Sequence, residues 1–398
     1  MTFDALRTAV LDHDLCTRCG ACAAVCPVQA IGIAKEDFAP FFAGGDAAEV
    51  CGQCSLCLEV CPGEDTSVNR SELRQFGRVR SDSERWTGIS RGVYEVVSRD
   101  EQILKHASAG GAATSLLVAA LRGGLIDAAI VVGHDDEQPW RARAIVTDRE
   151  ADIVHGAGAK YSFAPTLPLL ADTPFQRIGL VGLPCQIEAV SKMRNLAEPP
   201  EAARRVALTI ELACASATLP AGTRHVIENR LGVDAGQVSQ LRYRSGDYPG
   251  SFAVRTRDGG EHRYPFFEMV KDFKRFKTFR CDACPDWWSG LADISVADGD
   301  PNIFATSQRG ATGAARSAVI VRTSLGERLL AGARAQGLVS ATESTFDPAR
   351  SLGLQRKRHR YNRIAQTDRH IPAAPAKDVS GDRWKSDEDV ISEMSDGS

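Results

Sequence analysis

Residues 16–27, CTRCGACAAVCP, and residues 51–62, CGQCSLCLEVCP, each set four cysteines at the same intervals. Moving 35 positions from Cys16, Cys19, Cys22 and Cys26 lands on Cys51, Cys54, Cys57 and Cys61, so the chain carries an internal repeat, and each half ends in Cys-Pro. Three thiolates spaced by two residues reach three corners of a 4Fe-4S cube from one tight turn, and the fourth must come from elsewhere. Zinc normally takes two separated pairs of ligands rather than a triple and a distant Cys-Pro, so spacing favours the cube. Gly20 and Gly52 fall where backbone N–H groups must approach the cluster sulfurs.

This doubling resembles the bacterial two-cluster ferredoxins. In that arrangement the Cys before Pro serves the other cube, so one set is Cys16, Cys19, Cys22 and Cys61 and the second is Cys51, Cys54, Cys57 and Cys26. Residues 1–65 hold little that could fill an ordinary core, and metal is expected to replace it. The 398 residues allow two to three domains. A net charge of -3 provides no global field for nucleic acid or anionic lipid, and neither is an expected partner. No apolar run is long enough to span a membrane and the N-terminus has no leader pattern, so a cytoplasmic protein without membrane insertion is expected. In that setting, twelve cysteines argue for metal rather than disulfides.

The polar stretch 64–85 reads as a connector. Beyond it, patterning predicts helices over 112–122, 186–194 and 325–336 and strands over 128–133, 178–182, 206–213 and 317–322. Residues 252–256 and 262–266, joined through Asp258-Gly259-Gly260, read as a hairpin. The fold class expected is α+β. A ferredoxin-like module with two 4Fe-4S clusters (1–65) and a linker (66–85) precede a mixed α/β FAD-binding domain (86–345). A C-terminal extension (346–398) ends in a disordered tail from Pro372.

The remaining cysteines are Cys185 in GLPCQ, Cys214 in ELAC, and Cys281 and Cys284 in CDACPDWW. Four is the number a third cube needs, and strand ends on one sheet edge converge. From count and spacing alone, small buried hydrophobes, a redox disulfide or half a zinc site stay open. GVYEVVSRD (92–100), ASAGGAATSLL (107–117), GAKYSFAP (158–165), GLPCQIEAV (182–190), ELAC (211–214) and CDACPDWWSGLADISVADGD (281–300) occur in that order. On these six motifs the chain from about Gly92 to Val339 resembles the beta subunit of coenzyme F420 hydrogenase and its dehydrogenase relatives. The resemblance implies FAD, a 4Fe-4S cluster on Cys185, Cys214, Cys281 and Cys284, and a substrate stacked on the flavin.

Several residues are compatible with that chemistry. Gly110-Gly111 ahead of the helix beginning at Ala112 offers close backbone approach and a positive helix end for a pyrophosphate, with Ser108 and Thr114 as hydroxyl donors. Lys160 and Tyr161 offer a cation and an aromatic face, against the plainer readings of a surface Lys and a core Tyr. Asp293 and Asp298 read as ligand-orienting groups or as turn formers. KDFKRFKTFR (271–280) reads as an amphipathic helix or as a basic rim for an anionic substrate or acidic partner, and RKRHRYNR (356–363) carries the same two readings. No histidine spacing suggests a metal ligand.

The function expected is an FAD and iron-sulfur oxidoreductase of the F420 dehydrogenase/reductase type. Its expected partners are an electron-donor or acceptor protein and a small-molecule hydride acceptor, and an oligomer stays open. A ferredoxin-dependent reductase of another, tetrapyrrole-like substrate and a non-catalytic electron-relay subunit are the alternatives.

Overall fold

The computed structural model describes residues 2–247, 250–298, 316–346 and 352–372. Near the N-terminus, short helices and one two-stranded ribbon, β1 (Ile31–Ile33) against β2 (Pro40–Phe42), surround the paired cysteine motifs. The larger part is a sheet with β3 (Gly92–Ser98), β4 (Ala128–His134), β5 (Ala142–Thr147), β6 (Ile178–Gly182) and β7 (Val206–Leu212). A second, three-stranded sheet contains β8 (Val238–Ser245), β9 (Ser251–Thr256) and β10 (Glu261–Pro265). The chain then returns to the main sheet through β11 (Ile294–Asp298), β12 (Ser317–Val321) and β13 (Val339–Glu343).

The main sheet runs in the order β13-β3-β12-β11-β7-β6-β4-β5. Its middle, β4, β6, β7 and β11, is parallel, and antiparallel strands close both sides. Parallel strands must bury both faces, which is why β4 and β6 are built of Ala, Ile, Leu, Val and Gly with His134 as their one polar residue. Helices Ala112–Arg122 and Ser324–Ala335 supply one core, and Pro184–Asn195 belongs to the other. The helix 112–122 coincides with the sequence expectation, and the 252–266 region does form a hairpin, β9 with β10. The architecture is a mixed α/β fold with an N-terminal ferredoxin-like module.

The module does not hang from a loose tether. Cys19, Ala21, Ala24, Val25 and Val60 share a core with Leu167, Leu180, Ile187 and Val190 of the main domain. Gly20, at φ 79°, lies so close to Pro168 that an added Cβ would sit 2.4 Å from its Cγ. Within 66–85, expected as a polar connector, Val68–Phe76 is helical and buries Val68, Ser71 and Glu72. Glu72 accepts from Arg80 Nε at 2.6 Å and from the Arg80 amide at 2.8 Å, both side chains being buried. Polarity in this stretch records a buried ion pair, which a hydropathy reading mistakes for solvent exposure.

The 271–280 segment is likewise not one helix. Helix Phe266–Phe273 gives way to a tighter turn over Lys274–Phe276, an extended Lys277, and a new helix at Phe279–Asp282. Lys271, Lys274 and Arg275 are exposed, whereas Arg280 is buried, so the stretch is not a continuous basic rim. Residues 356–363 lie in the helix Leu352–Ala365. The tail from Ala373 is outside the described residues. Among the described residues, no helix is long and apolar enough to cross a membrane.

Candidate metal and cofactor centres

All twelve cysteines are free of disulfides. They fall into three groups that act electrostatically on one another. Cys57 feels Cys54, Cys51 and Cys26, while Cys61 feels Cys19 and Cys16. Cys214 feels Cys281 and Cys284, and Cys185 feels Cys19, Cys214 and Cys284. The Cys-Pro residue of each motif therefore keeps company with the other motif's triple, and the interaction between Cys19 and Cys185 makes two groups neighbours.

The outer group borders a cavity. Cys26, Cys51, Cys54 and Cys57 line a cavity of about 60 Å³ with Phe3, Val28 and Ile31. Cys16, Cys19, Cys22 and Cys61 are buried. Burial raises the thiol pKa to about 11 at Cys16 and about 12 at Cys61, and well above the ordinary value at Cys22. A buried thiolate needs positive charge to replace its proton, which iron supplies. Amide donors reach the sulfurs: Arg18 N lies 3.4 Å from Cys16 Sγ and Ala30 N lies 3.3 Å from Cys26 Sγ. Among the described residues no three His, Cys, Asp or Glu side chains converge as ligands of a single ion would.

The third group is made by the sheet. β6 and β7 are parallel neighbours, and Cys185 and Cys214 follow their C-terminal ends. Cys214 N donates to Trp287 O at 3.0 Å, which fastens the β7 exit to the loop after Cys284. Buried charge gathers around this group. Arg280 is buried, and its Nε and Nη1 have no hydrogen-bond partner among the described residues. Lys357, also buried, donates to Cys214 O at 2.7 Å and to Asp286 O. Burial opposes the Lys357 charge, but Cys284, Cys214 and Asp286 outweigh it and raise its pKa. Glu188, one helical turn after Cys185, has both carboxylate oxygens buried without a hydrogen-bond partner among the described residues; burial, with Asp286 nearby, pushes its pKa well up. Buried cations facing neutral thiols would be costly, and an anionic cluster relieves that cost, so these residues fit a cube.

The residues singled out for FAD lie further along the same edge. Ser108 Oγ accepts from Ala159 N at 2.8 Å, which joins the SAGG loop to the GAGAK loop. Gly111, at φ 74°, caps helix Ala112–Arg122 without a side-chain hydrogen bond, and Ser108 and Thr114 are half-buried beside it. Gly110 is also required by packing, because a Cβ there would meet Val96 O at 2.4 Å and Ser317 N at 2.6 Å. Its bareness lets the loop lie on β3 and β12. Lys160 donates to Gly156 O and Ala157 O, and burial with Arg242 lowers its pKa to about 7. Burial, Lys160 and His155 lower His134, at the end of β4, to about 3. Depressed basic groups beside the uncapped end of an eleven-residue helix would regain their protons next to an anion, and so fit a group such as a pyrophosphate. Tyr161 packs against Tyr243 and Phe266, ring centroids 5.8 and 5.6 Å away, and is half-buried.

Asp293 is a brace, accepting from Thr209 N at 2.9 Å and Thr209 Oγ1 at 2.8 Å, and Asp298 pairs with Arg244. Sequence reasoning missed Glu188, His134 and Arg242, and took Arg280 and Lys357 only as members of the basic runs 271–280 and 356–363. Of the three missed, Glu188 left a usable signal, its place three residues after Cys185 on a predicted helix.

Cysteine groups at the edge of a mixed sheet, fed by a ferredoxin-like module, define an iron-sulfur oxidoreductase. Residues 93–171 match the family described as coenzyme F420 hydrogenase/dehydrogenase, beta subunit N-term, and residues 175–345 match its counterpart for the C terminus of that beta subunit. Residues 9–32 match a 4Fe-4S binding domain. The chain belongs to the family of coenzyme F420 hydrogenase/dehydrogenase beta subunits.

It is 29% identical over 269 residues to the coenzyme F420 hydrogenase subunit beta of Methanosarcina barkeri, covering 65% of this chain and 84% of that one. It is 26% identical to the F subunit of the F(420)H(2) dehydrogenase of Methanosarcina mazei, with 80% and 82% covered. A coenzyme F420-dependent sulfite reductase of Methanocaldococcus jannaschii aligns over 94% of this chain but 54% of its own length, at 23% identity. Among solved structures, a chain of the F420-reducing [NiFe] hydrogenase complex from Methanosarcina barkeri shares the fold, with a TM-score of 0.59 over 73% of this chain and 98% of that one, at 24% identity.

Proposed function

We propose that this chain passes electrons between an organic hydride donor or acceptor and a partner electron carrier, through FAD and three 4Fe-4S clusters, as a coenzyme F420-type dehydrogenase or reductase. The observation that carries the reading is the packing of the module on the helix that bears Cys185: Cys19 shares a core with Ile187 and Val190, and Lys192 donates to Cys61 O at 2.9 Å. Bound between the SAGG and GAGAK loops, FAD would exchange electron pairs with the organic substrate and single electrons with the clusters. Ser108, Thr114, Gly111 and Lys160 would hold its phosphates, and Tyr161 would border the ring. Cys185, Cys214, Cys281 and Cys284 would hold the cube nearest the flavin. Cys16, Cys19, Cys22 and Cys61 would hold the middle one, and Cys26, Cys51, Cys54 and Cys57, which line the cavity, the outer one. Similarity to proteins whose names carry coenzyme F420 supports a deazaflavin as the organic partner.

Anaerobically purified protein is expected to carry about twelve irons per chain, four for each cube. Cys185→Ala is expected to keep about eight and to lose electron flow from reduced flavin to the module. Flavin-free protein with intact clusters would leave only a relay, and unchanged internal transfer in Cys185→Ala would overturn the order of the groups.

A further inference from the structure

Past residue 345, where the family match ends, the chain forms the helix Leu352–Ala365 and lays it over the loops that carry the third cysteine group. Its side chains reach backbone carbonyls of those loops. Lys357 Nζ donates to Cys214 O and Asp286 O, and Arg360 Nη2 donates to Cys281 O at 2.9 Å and to Ala215 O at 3.3 Å. Arg360 Nε adds Asp282 O at 3.1 Å. Lys357 and Arg360 stand three positions apart, on one face of the helix. Gly353 permits the close approach, since a Cβ there would lie 2.3 Å from the Trp287 ring. Beyond the helix, Arg369 lies over the Phe279 ring and His370 faces His13 of the N-terminal module, ring centroids 5.2 Å apart. The extension thus touches each loop holding Cys214, Cys281 and Cys284, and then the module.

We propose that this helix is a cationic clamp on the third cluster. Lys357 and Arg360 tie the β7 exit loop to the Cys281/Cys284 loop through their carbonyls and place fixed positive charge beside the cube. The inference rests on the reading that Cys185, Cys214, Cys281 and Cys284 hold a cluster. Reduction adds negative charge to a cube, so a buried ammonium next to it favours the reduced form and raises the potential. Lys357 and Arg360 act through the ligand loops, as positioning and charge-setting residues.

The test is an anaerobic redox titration of the full-length protein followed by electron paramagnetic resonance. The third cluster's signal is the one missing from Cys185→Ala. In Lys357→Met its midpoint is expected to fall by at least a tenfold change in the reduction equilibrium, about 59 mV for one electron. The other two midpoints are expected to stay fixed, Lys357→Arg to restore the wild-type value, and Arg363→Met, on an exposed residue of the same helix, to shift nothing. Should Lys357→Met fail to fold or to load iron, Arg360→Met is read in the same way with a smaller fall. An unshifted third midpoint in a variant that loads fully overturns the clamp. Wild-type protein with only eight irons would instead remove the third cluster and leave the clamp without its object.

Discussion

The eight cysteines before residue 65 and the four after residue 180 arrive at comparable groupings by opposite routes. In the module, intervals of two residues put three sulfurs in one turn and the repeat supplies the fourth, so proximity is local. In the main domain, Cys185 and Cys281 are almost a hundred positions apart, and parallel pairing of β6 with β7 is what delivers Cys185 and Cys214 to one edge. The module's own core of Phe3, Leu6, Val10, Leu15 and Ile31 is small and includes its cysteines, whereas the sheet buries two larger cores, one of them shared with the module. Metal should therefore be a folding element in one region and a passenger in the other.

Iron removal breaks that comparison most directly. Chelating iron from reduced protein is expected to strip hydrogen-exchange protection from helix Ala21–Val25 and from β1 and β2, while β4, β6, β7 and β11 remain protected. Equal loss in both regions would mean that the third cluster holds the sheet together as well. The module's shared core with the main domain, through Val25 and Val60, is the feature that could preserve it, so retained protection there would show docking to be sufficient without metal.

An intermediate effect belongs to the charges that separate the two regions. Arg280 sits between them: its Nη2 donates to Pro62 O at 3.3 Å and its amide to Asp14 O at 3.0 Å, while Cys284, Glu188 and Asp286 favour its charge. Arg280→Leu is expected to cost about 3–5 kcal/mol, the usual result of stranding buried opposite charge. The opening free energy of helix Pro184–Asn195, measured by native-state hydrogen exchange, reads that loss. A cost below about 1 kcal/mol would mean that no buried negative charge depends on the Arg280 cation.

The same contrast explains which features are legible in the linear sequence. The cysteine repeat, the apolar strands and helix 112–122 depend on periods of two, three or four residues, and such local signals survive when the chain is read as a string. Glu72 with Arg80, and Lys357 with Cys214 O, depend on partners that only the fold supplies. A polar run such as 64–85 or 356–363 looks solvated when its partners are unknown. Basic residues 271–280 misled for a related reason, since Arg280 shares its composition with exposed Lys274 and Arg275 but not its environment.

Lys160 permits the finest test, because it asks whether the SAGG–GAGAK edge is built for an anion. Burial and the nearby Arg242 hold its folded pKa at about 7, whereas an unfolded chain keeps the proton to a pKa near 10.5. Between those values the unfolded state binds more protons, so flavin-free protein should gain stability as pH rises through that window and should carry the full penalty below pH 7. One proton limits the slope to less than about 1.4 kcal/mol per pH unit. An anion at the site would favour the ammonium, raise the pKa and flatten the slope, so adding FAD should stabilise the protein more at pH 7 than at pH 9. Denaturation curves across that range check both statements, and Lys160→Gln should remove the dependence. A slope that persists in Lys160→Gln would assign the titration to another group and leave the loop edge without its anion.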